Sequence, residues 1–290
     1  MKTIIELLEW HVWRRDLNLE MKKNRRILFF LILFLIIGCF GKRKADSLFN
    51  YAIELWRNGK YVKALEVFEK FVNLYPDHPS CPEANLWIGD IHYLYLNEYV
   101  QALYDYRRLV NNHPKSEYAP IAQMKIAKIL FEFLSEEFQS ITEYQIFLKL
   151  FPDHSLAPEA QYNIAEIYAY LEDFKQAITE FELFLDKYPD SDMKINVHQR
   201  IGELYCLENM FSESIEHLNK ALELSKEEAE RLIIKKTMAD CYASQGNLSK
   251  SLSLYEDMLK NDPENDILKN RIESLRTQLK VSNSAQRYRW

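Results

Sequence analysis

Glycine is scarce in this 290-residue chain, with six in all. No G-x-G-x-x-G and no G-x-x-x-x-G-K-[ST] occurs, which excludes the glycine-rich loops that cradle dinucleotides and nucleoside phosphates. Cysteine is scarce too, and four in a chain of this length make no disulfide scaffold. Positive charge is in deficit, 37 Lys and Arg against 43 Asp and Glu. The chain therefore lacks the basic balance of most nucleic-acid binders. Its longest apolar run falls short of the roughly 20 residues that a membrane-spanning helix needs. The motifs H-E-x-x-H, C-x-x-C and G-x-S-x-G are absent, and with them the common zinc, thiol and serine-hydrolase sites. What is present is 48% hydrophobic and 13% aromatic, so the chain is neither disordered nor collagenous.

Two features remain to be read, a short apolar run near the start and a long repeat. The first opens at Met21. Lys22, Lys23, Arg25 and Arg26 precede eleven apolar residues, Ile27–Ile37, and then Gly38 and Cys39. A basic stretch, a short apolar stretch and a small residue form a bacterial export signal. Ile36-Ile37-Gly38-Cys39 resembles a lipobox, which implies cleavage before Cys39 and acylation of that residue; the alternative is an uncleaved signal anchor. Acyl chains contribute about 0.8 kcal/mol per buried CH₂, so two or three hold a protein firmly on a bilayer. Residues 1–20 then read as a start placed too early or as a short amphipathic leader. The expected organisation is 21–38 signal peptide, 39–44 anchor linker, 45–263 repeat array, and 264–290 capping helix and tail. The mature chain would carry thirty basic and thirty-nine acidic residues. Export would place Cys81, Cys206 and Cys241 in an oxidising compartment. Lying far apart in sequence, they read as small apolar residues rather than partners.

The repeat is marked by Pro76, Pro114, Pro152, Pro189 and Pro263, at intervals of 38, 38, 37 and twice 37. Twelve residues before each proline stands a small residue: Ala64, Ala102, Ser140, Ala177 and Ser251, with Ser214 filling the gap in the series. Four residues after each comes a large one: Phe68, Tyr106, Tyr144, Phe181, Leu218 and Tyr255. A second small series, Ala52, Gly89, Ala127, Ala165, Gly202 and Ala239, runs earlier in each repeat. Helices that cross closely tolerate only small residues at the contact, and a large residue one turn on fills the groove beside it. Each repeat is therefore expected to be a helix pair, A then B, with proline stopping B. Pro82, Pro120 and Pro158 open the next helix A, where the missing N–H costs nothing. In the second and third repeats one extra residue separates the paired small positions. Ile267–Lys280 reads as a closing helix and Val281–Trp290 as a disordered polar tail.

This pattern resembles the tetratricopeptide repeat (TPR), most clearly in Ile164-Ala165-Glu166-Ile167-Tyr168, Phe174, Ala177, Phe181 and Tyr188-Pro189. The usual TPR period is 34; here it is near 37. The resemblance implies an all-α, right-handed α-solenoid of about six helix pairs with a C-terminal capping helix. It also implies a binding scaffold with no cofactor, no metal and no catalytic residue. His78 and His154, each after a Pro-Asp pair, read as solvated turn residues.

In TPR proteins the concave wall comes from helix A, three residues before and one and four after its small residue. That rule gives Phe49, Ile53 and Trp56, then Leu86, Asp90 and Tyr93, then Met124, Lys128 and Phe131. Beyond these come Tyr162, Glu166 and Ala169, then Glu203 and Asp240. The first half is expected to be aromatic and the second acidic, suiting a polypeptide with apolar anchors and basic residues; the alternative is an ordinary solvated face. For Trp56 two arrangements stay open, an exposed anchor or an indole packed between the first two repeats. The opening Ala45–Ala52, with Gly59-Lys60-Tyr61, Ala64, Phe68 and Tyr75-Pro76, is similar to the first repeat of the BamD family, lipoproteins of outer-membrane protein assembly. The Pro152–Ala160 linker is similar to CpoB, a periplasmic TPR protein of cell-wall coordination. Six repeats on a lipid anchor also resemble type IV pilotins. These resemblances imply envelope-protein partners and an outer-membrane anchor facing the periplasm.

Overall fold

The computed structural model describes residues 42–287, with side chains to Val281. Cys39, the signal at 21–38 and residues 1–20 and 288–290 lie outside the described residues. Thirteen helices follow one another, with no strand among the described residues. They are α1 (42–57), α2 (Tyr61–Leu74), α3 (Cys81–Asp90), α4 (Tyr99–Asn112), α5 (Tyr118–Glu132), α6 (Glu137–Leu150) and α7 (Ala157–Tyr170). Then come α8 (Phe174–Lys187), α9 (Lys194–Leu207), α10 (Phe211–Leu224), α11 (Glu228–Ser244), α12 (Leu248–Asn261) and α13 (Asp266–Arg287). Odd-numbered helices up to α11 are helix A of a repeat, and even-numbered ones helix B. The chain forms two compact units, one ending at Ala122 and one beginning at Gln123.

Consecutive helices pack on one another within each unit, as α2 on α3 and α3 on α4, or α7 on α8 and α9 on α10. The small series explains how. Ala52, Ala64, Ala102, Ala127, Ser140, Ala165, Ala177, Ser214, Ala239 and Ser251 are all fully buried. So are Phe68, Tyr106, Phe181 and Leu218, with Tyr144 and Tyr255 nearly so. Two glycines show how tight the crossing is. A Cβ on Gly89 would stand 2.5 Å from the Tyr106 ring, and one on Gly202 2.6 Å from Leu218. Gly89→Ala gains about 1 kcal/mol of helix propensity. Against it stands overpacking of about 1–3 kcal/mol, because the Tyr106 ring that must yield is itself fully buried. A net loss of about 1 kcal/mol is expected, read as a lower denaturation midpoint at unchanged slope.

Each A–B turn contains one residue of positive φ: Gly59, Asn97, Ser135, Glu172, Asn209 and Gly246. Only two are glycine, so the turn imposes a left-handed residue even where a side chain pays strain. The residue after it donates its N–H back to helix A. In four repeats that bond reaches five residues back, as from Asp173 to the Tyr168 carbonyl (3.0 Å). In the second and third it reaches six, from Glu98 to His92 (2.8 Å) and from Glu136 to Leu130 (2.9 Å). The extra residue of those repeats is absorbed there, and in the second it winds Ile91–Leu96 into a π-helical turn.

Three expectations need correction. His78 and His154 are turn residues but not solvated ones. Their Nδ1 atoms accept the backbone N–H of Ser80 (3.1 Å) and Leu156 (3.2 Å), and their rings pack edge-on against Phe71 and Phe147. Cys206 and Cys241 are not mere small apolar residues, because they are joined in a disulfide; Cys81 is free and buried. The closing helix runs past Lys280 to Arg287, so the expected tail is helical that far.

A candidate partner-binding wall on helix A

In the first unit the wall residues form an aromatic pavement. Phe49 packs on Phe68 and Phe71, with ring centroids 5.8 and 5.4 Å apart. The Trp56 indole lies 4.4 Å from Trp87 of the next repeat and 6.4 Å from Tyr95, which stacks on Tyr61 at 3.9 Å. Trp56 Nε1 is buried without a hydrogen-bond partner. Of the two arrangements open for Trp56, the structure takes the packed one. Ile53 and Leu86 are half-buried, and Tyr93 is buried. Asp90 accepts the hydroxyl of Tyr106, whose ionisation is pushed far up by burial and by that carboxylate.

In the second unit Met124 is buried and Lys128 exposed. Phe131 meets Tyr170 edge-on at 5.2 Å, and Ala169 is half-buried. Tyr162 packs edge-on against Phe181 at 5.3 Å. Its ionisation is pushed up by burial and by its hydrogen bond to Glu166. The acidic wall is not free charge. Arg200 donates two bonds to Glu166 (2.7 and 2.8 Å) and one to Glu203 (2.6 Å). One guanidinium thus ties the fourth repeat to the fifth and cancels one of two carboxylates. Asp240 is paired as well, accepting from Tyr255 (2.6 Å) and Arg271 (3.1 Å) with Lys236 at 3.3 Å. Burial and the Asp240 bond push the Tyr255 hydroxyl up to about 12. A partner segment here meets a ladder of alternating charge rather than an acidic strip.

Arg200, Trp87 and Tyr95 lie off the offsets that define the wall, so the sequence rule misses them. It also passes over a series of polar residues four before the helix-A small residue in every repeat but the first, where Leu48 stands. Gln123 and Gln161 are buried there, bonded to the carbonyl and carboxylate of Glu143 and Glu180 on helix B. Asn85 takes a bond from Arg108 (3.2 Å), and Lys235 gives one to Asp257 (2.8 Å). In the fifth repeat the rung is two histidines, His198 and His217, with Nδ1 atoms 3.2 Å apart.

Burial, then His217 and the nearby Lys220 and Lys194, lower the His198 pKa to about 4; burial and Lys220 lower that of His217, with Glu216 opposing. Both rings are thus held neutral. Between the ordinary histidine pKa and about 4 the unfolded chain binds more protons, so stability rises with pH there. The second unit should lose stability as pH falls from 6.5 towards 4. The double substitution His198→Gln with His217→Glu, which installs the rung of the fourth repeat, should remove that excess acid sensitivity in thermal melts.

Two stretches of the chain match tetratricopeptide-repeat family models, residues 49–120 and 156–227. Residues 236–262 match a PPR-repeat model. No curated protein matches the chain. Among solved structures it is similar to a tetratricopeptide repeat protein from Parabacteroides merdae ATCC 43184, at 19% identity, covering 83% of this chain and 87% of that one with a TM-score of 0.54. It is also similar to PilW, a widely conserved type IV pilus biogenesis factor, at 16% identity over 79% and 98% of the two chains, TM-score 0.51. Pseudomonas aeruginosa PilF gives 12% identity over 81% and 99%, TM-score 0.50. At these identities the likeness establishes the fold alone. The chain carries tetratricopeptide repeats, which serve as scaffolds for binding peptides and proteins.

Proposed function

We propose that this protein is an exported scaffold, acylated at Cys39 and held on the periplasmic side of a bacterial outer membrane, whose helix-A faces grip segments of other envelope proteins. The observation that carries the reading is the character of those faces, aromatic in the first unit and charge-alternating in the second. Neither presents the strongly acidic or basic strip that nucleic acid or a charged small molecule would favour. It acts by binding and needs no cofactor. Its first partner class is the machinery of outer-membrane protein assembly, on the similarity of Ala45–Ala52 and the repeat that follows to BamD. Cell-wall factors, as for CpoB, and pilus or secretion components, as for the pilotins, are the alternatives.

Membrane fractionation tests the anchor. Cys39→Ala should release the protein from membranes with its thermal melt unchanged; unaltered fractionation with Lys22 retained in the mature chain would establish a signal anchor instead. Photo-crosslinkers at the half-buried Ile53 and Glu203, followed by mass spectrometry of envelope extracts, test the partner. Barrel-assembly subunits would support the first reading, pilus or wall components an alternative, and recovery of no envelope protein would overturn all three.

A further inference from the structure

Cys206 stands four residues after Gly202, the same repeat position as Trp56, Tyr93, Phe131 and Ala169. It is half-exposed on the helix-A face of the fifth repeat, whereas Cys241, on α11, is buried. Their Cα atoms are 5.8 Å apart, inside the window that a disulfide requires. Cys241 Sγ also lies 3.2 Å from Ser214 Oγ, which bonds to the Gly202 carbonyl at 2.7 Å. The sulfur pair thereby joins two neighbouring A helices across the B helix between them.

The bridge falls where the buried apolar core is small. The core between the fifth and sixth repeats gathers four buried apolar residues, Leu218, Ala221, Ile234 and Met238. That between the fourth and fifth gathers eight, including Phe181 and Phe184. Helix B of the fifth repeat also lacks the proline stop, with Lys226 in its place. In a repeat array stability is a sum of nearest-neighbour interfaces, so a covalent tie between two repeats adds directly to the interface it spans.

We propose that the Cys206–Cys241 disulfide is acquired after export, and that it staples the fifth repeat to the sixth and fixes the spacing of their helix-A faces for the partner. This rests on the export reading given above, since a cytosolic pool would keep the thiols reduced. The chemistry is thiol–disulfide exchange. The Cys206 thiolate, the one solvent reaches, attacks the disulfide of an envelope dithiol oxidoreductase to form a mixed disulfide; the Cys241 thiolate then attacks Cys206 Sγ and the oxidoreductase cysteine leaves as thiolate. Two thiols lose two protons and two electrons, and the oxidoreductase leaves as its dithiol. Cys81, buried at the start of α3 in the other unit, stays free.

Counting free thiols tests it. The Cys81→Ser chain, expressed with its own signal, is acid-quenched in cells, denatured and alkylated with a heavy maleimide. No adduct is expected, with the pair closed and Cys39 acylated. One adduct means that Cys39 is unmodified: the anchor reading fails and the staple stands. Two or more mean an open pair and overturn the proposal. Should Cys81→Ser not fold, the native chain serves, with each count one higher. Reductant applied to the purified native protein should lower the melting temperature of the second unit by about 5 °C or more. Cys206→Ser should melt there with no response to reductant. A native melt indifferent to reductant would overturn the stapling role.

Discussion

Trp56→Ala is expected to lower the stability of the first unit by about 3 kcal/mol, the low end for truncating a packed aromatic because part of the indole stays in water. The ring packs against Trp87 of α3 and Tyr95 of the turn that follows it, so truncation leaves a void beside both. One compensation is small. Nε1 is buried without a partner, so its removal recovers part of a desolvation penalty of about 1–3 kcal/mol. Thermal melts should shift down by roughly 6 °C or more, and hydrogen exchange should speed up in α1 and α3. Partner capture should then fall only as far as unfolding carries it. If the melt is unchanged while capture falls about 30-fold, near 2 kcal/mol, the indole is a contact anchor after all and its packing contributes little.

Phe181→Ala should cost about 4 kcal/mol in the second unit. The ring is fully buried in the core that the fourth and fifth repeats share, so its removal leaves a cavity there. The loss also reaches the candidate wall. Tyr162 rests edge-on against Phe181, Tyr162 holds Glu166, and Glu166 holds Arg200. Because repeats couple only to their neighbours, faster hydrogen exchange is expected in α7–α9 and little change in α13. Uniform loosening of the whole unit would show instead that it unfolds as one block.

Much of this protein is legible in one dimension. Small residues at fixed spacing locate the A–B crossing of each repeat, because only a missing side chain allows two backbones to approach so closely. The prolines mark the boundaries, since a ring without an N–H cannot continue a helix. The extra residue at Gly89–Ala102 and Ala127–Ser140 is visible as a change of spacing, though not what absorbs it. A π-helical turn at Ile91–Leu96 and a six-residue closing bond are choices of backbone hydrogen bonding, and no residue type announces them. The left-handed residue of each turn is equally silent where Glu172 or Ser135 holds it.

The periodicity, the two faces of each helix pair, the buried small and large series and the candidate wall positions can be read from the residues alone, since all of these follow from spacing within one helix or one pair. What reaches across between helices cannot. Arg200 closes on Glu166 from 34 residues away, Cys206 on Cys241 from 35, and His217 lies against His198 from 19. Trp56 turns onto Trp87 rather than into solvent. Each of these pairings depends on how far one helix is rotated and staggered against the next. That rotation is set by the summed packing of the whole interface, a quantity that no single spacing records.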